Sequence, residues 1–395
     1  MISPAPSVAR ATAVALASGA LLLTTFFLLG WSDLDAAWAG LDFNAALFED
    51  FLGPYWQTAS ALAAGDCEPA ELYVYPAFGA WLLAPLTVLG DAAASWSCAA
   101  LMVGAASLLL ASLFTLRRPS SSWEAAAVGV AALLAHPVVH GAYWGQAALP
   151  VAALTLAALA AWARGHAIAG GALLGVAAAI KLTPLVFLAA PLLGREQPGL
   201  RRALTWAIGS FLACAVLIPL VAMGPAGFLE FHVEAARHLR ALASEASTAA
   251  GGRGSQDPGA LLARSAGDGA FWLGKAMGFA AAALLVHGAR AELRGPAPRW
   301  DLVFVLLAAL PWLLVTPTWT HGLIWIVVAW QAGWSGGLVG RGLVLTSMIL
   351  GSLPLLLWTD DPVRHAELGI PAAAAAVALI AALLSRQRPE AAPHR

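Results

Sequence analysis

The chain has 395 residues, of which 60% are hydrophobic and only 11% charged, with a mean hydropathy of +0.77. Soluble domains carry about 25% charged residues, and apolar runs recur here along the whole length, so a soluble globular protein is excluded and a polytopic membrane protein is expected. A net charge of −1 leaves no electrostatic footprint for nucleic acid, and Cys67, Cys98 and Cys214 have neither metal-ligand nor redox spacing.

Taken in chain order, apolar segments read as 11–30, 76–90, 93–116, 123–142, 147–163, 168–193, 203–223, 268–289, 300–317, 321–335, 342–358 and 368–385. Backbone groups in lipid need internal partners, so each spanning stretch must be helical. The first segment follows Arg10 and reads as an uncleaved anchor, being long enough to span, although Ala37-Trp38-Ala39 resembles a signal cleavage site. The expectation is one integral membrane domain over 1–386, an all-α bundle of about eleven to twelve transmembrane helices, followed by a short cytoplasmic tail at 387–395. The seventeen tryptophans suit membrane–water interfaces.

Two polar segments are long, 31–75 and 224–267. The first holds eight acids (Asp33, Asp35, Asp42, Glu49, Asp50, Asp66, Glu68 and Glu71) and no Lys or Arg, so the positive-inside rule turns it outward. Arg10, Arg201, Arg290, Arg299, Arg341 and Arg386 then fall inside, and the second long loop faces outward too. Arg117-Arg118 breaks this pattern if 76–90 spans. That segment is short of the roughly 20 residues a span needs. If it lies at the outer surface instead, Arg117 and Arg164 turn inward. Segment 168–193 must then enter and leave from the inside, as two half-helices hinged near Lys181-Leu182-Thr183-Pro184. Both topologies remain open from the sequence, and both put the two long loops outside.

Within "FEDFLGPYW" the adjacent Glu49 and Asp50 stand among Phe48, Phe51, Tyr55 and Trp56. An outer-loop carboxylate is ordinarily solvated or caps a helix; the functional alternative is a general base at the membrane surface. Asp42-Phe43 has the same form. Gln146, in "AYWGQAALP", is an interfacial turn residue or an amide for a polar headgroup. Lys181 is one of two lysines and lies in an apolar run. A charge at the bilayer centre costs at least about 2.5 kcal/mol, so Lys181 either snorkels to an interface or answers an anion such as a lipid phosphate. The Gly-rich stretch 249–264, with Arg253 and Gln256, is a flexible outer loop or a substrate-ordered lid; it lacks the GK[ST] of a phosphate-binding loop. His321, in "LVTPTWTHGLIW", is a satisfied loop residue on an outer turn, or a proton-transfer or phosphate-contact group.

Six pieces in this order resemble glycosyltransferase family 87, the polyprenyl-phosphate-mannose-dependent mannosyltransferases of the GT-C superfold. They are "DFLGPYWQTASALAAGD" from Asp50, "YVYPAFG" from Tyr73, Gly145-Gln146, the Lys181-x-x-Pro184 segment, Ser255-Gln256-Asp257, and Pro317-x-Trp319-x-His321. The likeness covers roughly residues 40–330. It implies a GT-C-type bundle with two long extracytoplasmic loops. It also implies a hexosyltransferase moving mannose from a polyprenyl-monophosphate sugar to a glycan or glycolipid acceptor, with inversion, at the outward face of the cell membrane. In that scheme Asp50 is the general base, with Asp42 in reserve. Lys181 and His321 offset charge on the departing phosphate, and Tyr75, Gln146, Arg253 and Gln256 orient donor or acceptor. No metal or other cofactor is called for. The chain departs from the family pattern at Tyr75-Pro76-Ala77, Ser255-Gln256-Asp257 and His321-Gly322, which leaves sugar and acceptor open. A secondary transporter or a lipid-handling protein without transferase activity is the rival class; a transporter should show internal repeats with broken helices in matching places.

Overall fold

The computed structural model describes residues 48–90, 92–117, 119, 122–194, 197, 199–246, 255–356 and 369–386. Segment 11–30, Asp42 and Arg253 lie outside the described residues. Every described element is helical, and there is no strand among the described residues. This is the all-α polytopic membrane architecture that lipid imposes on a spanning backbone.

Ala93–Leu116, Leu200–Ser244 and Asp268–Leu293 are each long and apolar enough to cross a membrane. The second of these turns sharply at Gly224 (φ 70, ψ 168), just before Pro225, where the missing Cβ and the missing N–H make a break inexpensive. Glu124–Leu133 and His136–Tyr143 make a further span if taken together, bent by 50° at the break before Pro137. The remaining apolar segments form shorter helices, among them Ala77–Leu89, Ala148–Ala163, Ala167–Ile180, Thr183–Leu193, Trp300–Leu314 and Ile370–Ser385. The second long loop is more ordered than its polar composition suggests. Helix continues from the Gly224 kink to Ala246, and Pro258–Ala266 forms another. Phe231 on the first of these is buried edge-on against Tyr73 of the first loop, 5.7 Å between ring centres.

The arginine question is decided by packing. Arg117 donates to the carbonyl of Gln331 (2.9 Å), while Gln331 Nε2 donates back to the carbonyl of Arg117 (2.9 Å). Arg299 reaches Ala332 and Ser385 at the same end of the bundle, Arg386 pairs with Glu292, and Trp162, two residues before Arg164, lies against Trp300. Arg117, Arg164, Arg299 and Arg386 therefore share one end. Ala77–Leu89 is one α-helical and one 3₁₀ piece, about 22 Å in all, which falls short of a bilayer core of about 30 Å. It packs at the opposite end, where Gly79 approaches the carbonyl of Ile180. This is the arrangement with 76–90 at the surface.

Segment 168–193 is broken as that arrangement requires. Ala167–Ile180 stops at Lys181, which is extended (φ −147, ψ 131), and the chain resumes as a 3₁₀ turn, Thr183–Leu188, running into Ala189–Leu193. Helix Ala167–Ile180 lies parallel to Leu200–Leu212. A Cβ on Gly171 would stand 2.3 Å from the carbonyl oxygen of Ala203, and one on Gly175 would stand 2.4 Å from that of Ala207. Two glycines four residues apart, facing two alanines four residues apart, let the backbones touch, as helices in lipid do without a hydrophobic drive between them.

Candidate active site

The acidic pair of the first loop is divided by the fold. Phe48 N–H donates to the carbonyl of Tyr143 (2.8 Å), which ties the loop to the turn after His136–Tyr143. A π-helical turn with Pro54 inside it, Phe51–Tyr55, begins directly after Asp50; such turns concentrate at functional sites. Glu49 is exposed and Asp50 is half-buried. Gln146 Nε2 donates to the Asp50 carboxylate, and the Tyr55 hydroxyl stands 3.5 Å from Gln146 Oε1. Gly145 makes this meeting possible: its φ is +66, and a Cβ there would lie 2.6 Å from Phe51 Cβ and 2.9 Å from Cys98 Sγ. Burial raises the Asp50 carboxyl above its ordinary range. The Gln146 amide pulls it back, Glu49 pushes it further up, and the Lys181 charge lowers it.

Aromatic rings form the floor. Tyr75 stacks on Tyr55 at 5.2 Å and 13°, and Tyr73 meets both rings edge-on. Tyr73 is locked in place because its hydroxyl donates to the carbonyl of Pro76 (2.9 Å) and accepts from the N–H of Ala80 (3.2 Å). The Lys181 ammonium lies 5.0 Å over the Tyr75 ring, a cation–π contact. Lys181 is also the C-cap residue of Ala167–Ile180, the end of a helix at which the dipole favours a cation. No hydrogen bond or ion pair to the described residues takes up that ammonium.

His321 sits in the 3₁₀ turn Thr320–Leu323 and is buried. Its ring lies 5.6 Å from that of His140, which in turn lies 5.6 Å from His136 and 6.0 Å from Trp144. Lys181 is within electrostatic reach of both Asp50 and His321. Asp50, Tyr75, Gln146, Lys181 and His321 thus meet at the end of the bundle opposite the arginines. Gln256 is fully buried beside the His321 turn. Its N–H donates to the carbonyl of Thr318 (2.6 Å), and its carbonyl accepts from Trp312 Nε1 (2.7 Å). Tyr55, Tyr73 and His140 belong to the site and were not singled out in the sequence. "HPVVH" carried the signal for His140, since it puts two histidines one helical turn apart, just before Gly145-Gln146. Among the described residues, no group of three or more His, Cys, Asp or Glu side chains could hold a metal ion.

A half-buried carboxylate beside an amide, a tyrosine floor and an unneutralised ammonium is an arrangement that accepts a proton at one point and receives an anion at another. The family profile of "Glycosyltransferase family 87" matches residues 73–317. No curated protein matches significantly. Among solved structures, the chain is similar to the apo crystal structure of ArnT from Cupriavidus metallidurans at 20% identity and a TM-score of 0.40. It is similar to the form bound to undecaprenyl phosphate at 18% and 0.38; each likeness covers 93% of this chain and 76% of the other.

Proposed function

The chain belongs to glycosyltransferase family 87, and from that premise we propose that this membrane glycosyltransferase moves a hexose, mannose first among candidates, from a polyprenyl-monophosphate sugar to a hydroxyl of a glycan or glycolipid. The acceptor oxygen attacks the anomeric carbon as the bond from that carbon to the phosphate oxygen breaks. The acceptor proton goes to Asp50, the electron pair leaves with polyprenyl phosphate, and the anomeric configuration inverts. Gln146 orients the Asp50 carboxylate and holds it in its acceptor form. Lys181 meets the negative charge that grows on the departing phosphate, with His321 beside it. Tyr75, stacked on Tyr55 by one face, supports the Lys181 ammonium with the other. We place the site at the extracytoplasmic face of the cell membrane, because the acid-rich first loop lies at this end and the arginines gather at the other. Residues 1–386 act as one catalytic domain, with 387–395 as a cytoplasmic tail.

The observation that carries this reading is the meeting of Asp50 and Gln146 within electrostatic reach of Lys181, although 96 residues separate the first two in sequence. A transporter or a non-catalytic lipid-handling protein gives no reason for a buried amide to hold a carboxylate at this membrane face. The test is transfer of radiolabel from polyprenyl-phosphate mannose in membranes bearing wild type, Asp50→Asn or Asp42→Asn. Loss of transfer in Asp50→Asn with comparable protein levels supports the scheme. Normal transfer by both variants overturns it.

A further inference from the structure

The second lysine, Lys275, is used in the opposite way from Lys181. It sits on Phe271–Leu293 and is almost fully buried. Its ammonium donates to the carbonyl of Leu314 (2.9 Å) and to Thr316 Oγ1 (2.8 Å), and it lies 3.6 Å from Asp257 Oδ1. Two of the three N–H donors of the ammonium are thus hydrogen-bonded and a carboxylate lies at ion-pair distance, so its charge is met within the protein rather than left for a substrate phosphate. The approach depends on two glycines of the same helix. A Cβ on Gly274 would fall 2.2 Å from the carbonyl oxygen of Pro258, and one on Gly278 would fall 2.4 Å from that of Leu313.

Asp257 passes the connection on. Its carboxylate accepts from Ser255 Oγ (2.6 Å) and from the N–H groups of Gly259 (3.0 Å) and Ala260 (3.2 Å), capping helix Pro258–Ala266. Ser255 Oγ accepts from the N–H of Thr318 (3.0 Å), and Gln256 N–H donates to the carbonyl of Thr318. Thr318 is three residues before His321, and Gly322 N–H closes the intervening turn on the carbonyl of Trp319 (2.8 Å). The chain after Leu314 is thereby held on both of its edges.

We propose that Lys275 is a positioning residue for the reaction: through Asp257, Thr316 and Thr318 it fixes the turn that carries His321 against the donor site. The proposal rests on the transferase reading for its kinetic arm alone. Full-length protein in detergent is compared as wild type, Lys275→Met, Lys275→Arg, His321→Ala and the double variant of Lys275→Met with His321→Ala. Two readouts are taken: kcat and KM for the polyprenyl-phosphate sugar, and the rate at which diethyl pyrocarbonate labels His321, followed by peptide mass spectrometry. Displacing a group by about 1 Å costs on the order of a hundredfold in rate. Lys275→Met should therefore lower kcat by tenfold or more, roughly speaking, with a smaller change in KM. It should add nothing once His321 is alanine, and it should make His321 label several-fold faster. Lys275→Arg should restore part of both. Losses that simply add in the double variant, or unchanged labelling of His321, would overturn the proposal. If Lys275→Met does not yield monodisperse protein, Thr316→Val removes one partner of the ammonium and faces the same two outcomes. If wild type transfers no sugar at all, the transferase reading fails, and the labelling arm still decides the role of Lys275.

Discussion

Replacing Gly145 by alanine tests the site at its tightest point. The residue has φ +66, a region that costs an L-residue about 1–2 kcal/mol, and the new methyl would stand 2.6 Å from Phe51 Cβ and 2.9 Å from Cys98 Sγ. Neither neighbour can step aside easily. Phe51 Cβ is fixed by the π-helical turn that starts after Asp50, and Cys98 is inside helix Ala92–Leu116. Overpacking of this kind costs about 1–3 kcal/mol, so the substitution carries roughly 2–5 kcal/mol in total. It emerges either as lost stability or as a shift of the 143–147 turn away from Asp50, which breaks the Gln146 hydrogen bond. The assay pairs the thermal midpoint in detergent with the rate of sugar transfer. Gly104→Ala is the control, because a Cβ there meets nothing within 4 Å. A Gly145→Ala protein that matches wild type in both midpoint and rate would refute the geometry.

If Asp50 is the base as proposed, the acid limb of kcat/KM should lie above the ordinary carboxylate range, since burial raises its carboxyl and only the deprotonated form accepts a proton. Gln146→Leu removes an influence that lowers Asp50 and should move the limb to higher pH, whereas Glu49→Gln removes one that raises it and should move the limb down; the opposite order of shifts would exclude Asp50 as the titrating base. Lys181→Met should raise KM for the donor and lower kcat, with a weaker effect on the acceptor KM; equal effects on both substrates in steady-state kinetics would remove Lys181 from the phosphate. Gly175→Leu must push apart two backbones at a point where a Cβ would already stand 2.4 Å from the Ala207 carbonyl oxygen. A loss of at least about 2 kcal/mol should appear as a lowered thermal midpoint, and an unchanged midpoint would mean the helices are not in contact there.

Much of the fold was legible because lipid leaves few options. Apolar length and the absence of backbone partners in hydrocarbon select helices, so the segments at 93–116, 147–163 and 368–385 appear within a few residues of their apolar limits. The break at Lys181 was legible only in part: Pro184 makes it plausible, but the sequence required it in one of two open topologies, and packing chose between them. The second long loop was not. Its polar composition reads as loop, yet Phe231 and Ala235 bury one face of a helix on the first loop, and only tertiary packing reveals that. In the site, Asp50 was distinguished from Glu49 in the sequence by family spacing alone; the structure adds the physical difference, because one carboxylate turns toward Gln146 and the other toward solvent. His140 was overlooked although "HPVVH" spaces two histidines one helical turn apart, because that spacing does not say what the pair faces until His321 is brought against it. The role of Lys275 depends on contacts 39 and 41 residues away, and no local pattern encodes them.

The two lysines show how the same residue type is turned to different ends. An ammonium among apolar helices is expensive wherever it lies, and the cost can be met by protein partners or left for a ligand to meet. Lys275 has a carboxylate, a hydroxyl and a carbonyl around it, so its charge is neutralised before any substrate arrives and its remaining effect is to hold chain segments together. Lys181 has an aromatic face beneath it and the end of a helix behind it. Those contacts steady the cation without neutralising it. Its broken helix brings it to the same end of the bundle as Asp50, within electrostatic reach, and the ion pairs among the described residues do not include one between the two. Had Asp50 closed onto Lys181 as an ion pair, the base of the proposed scheme would be weakened and its cation spent. Gln146 instead gives the carboxylate a neutral donor, which on the proposed scheme leaves a base and a positive charge side by side in one site.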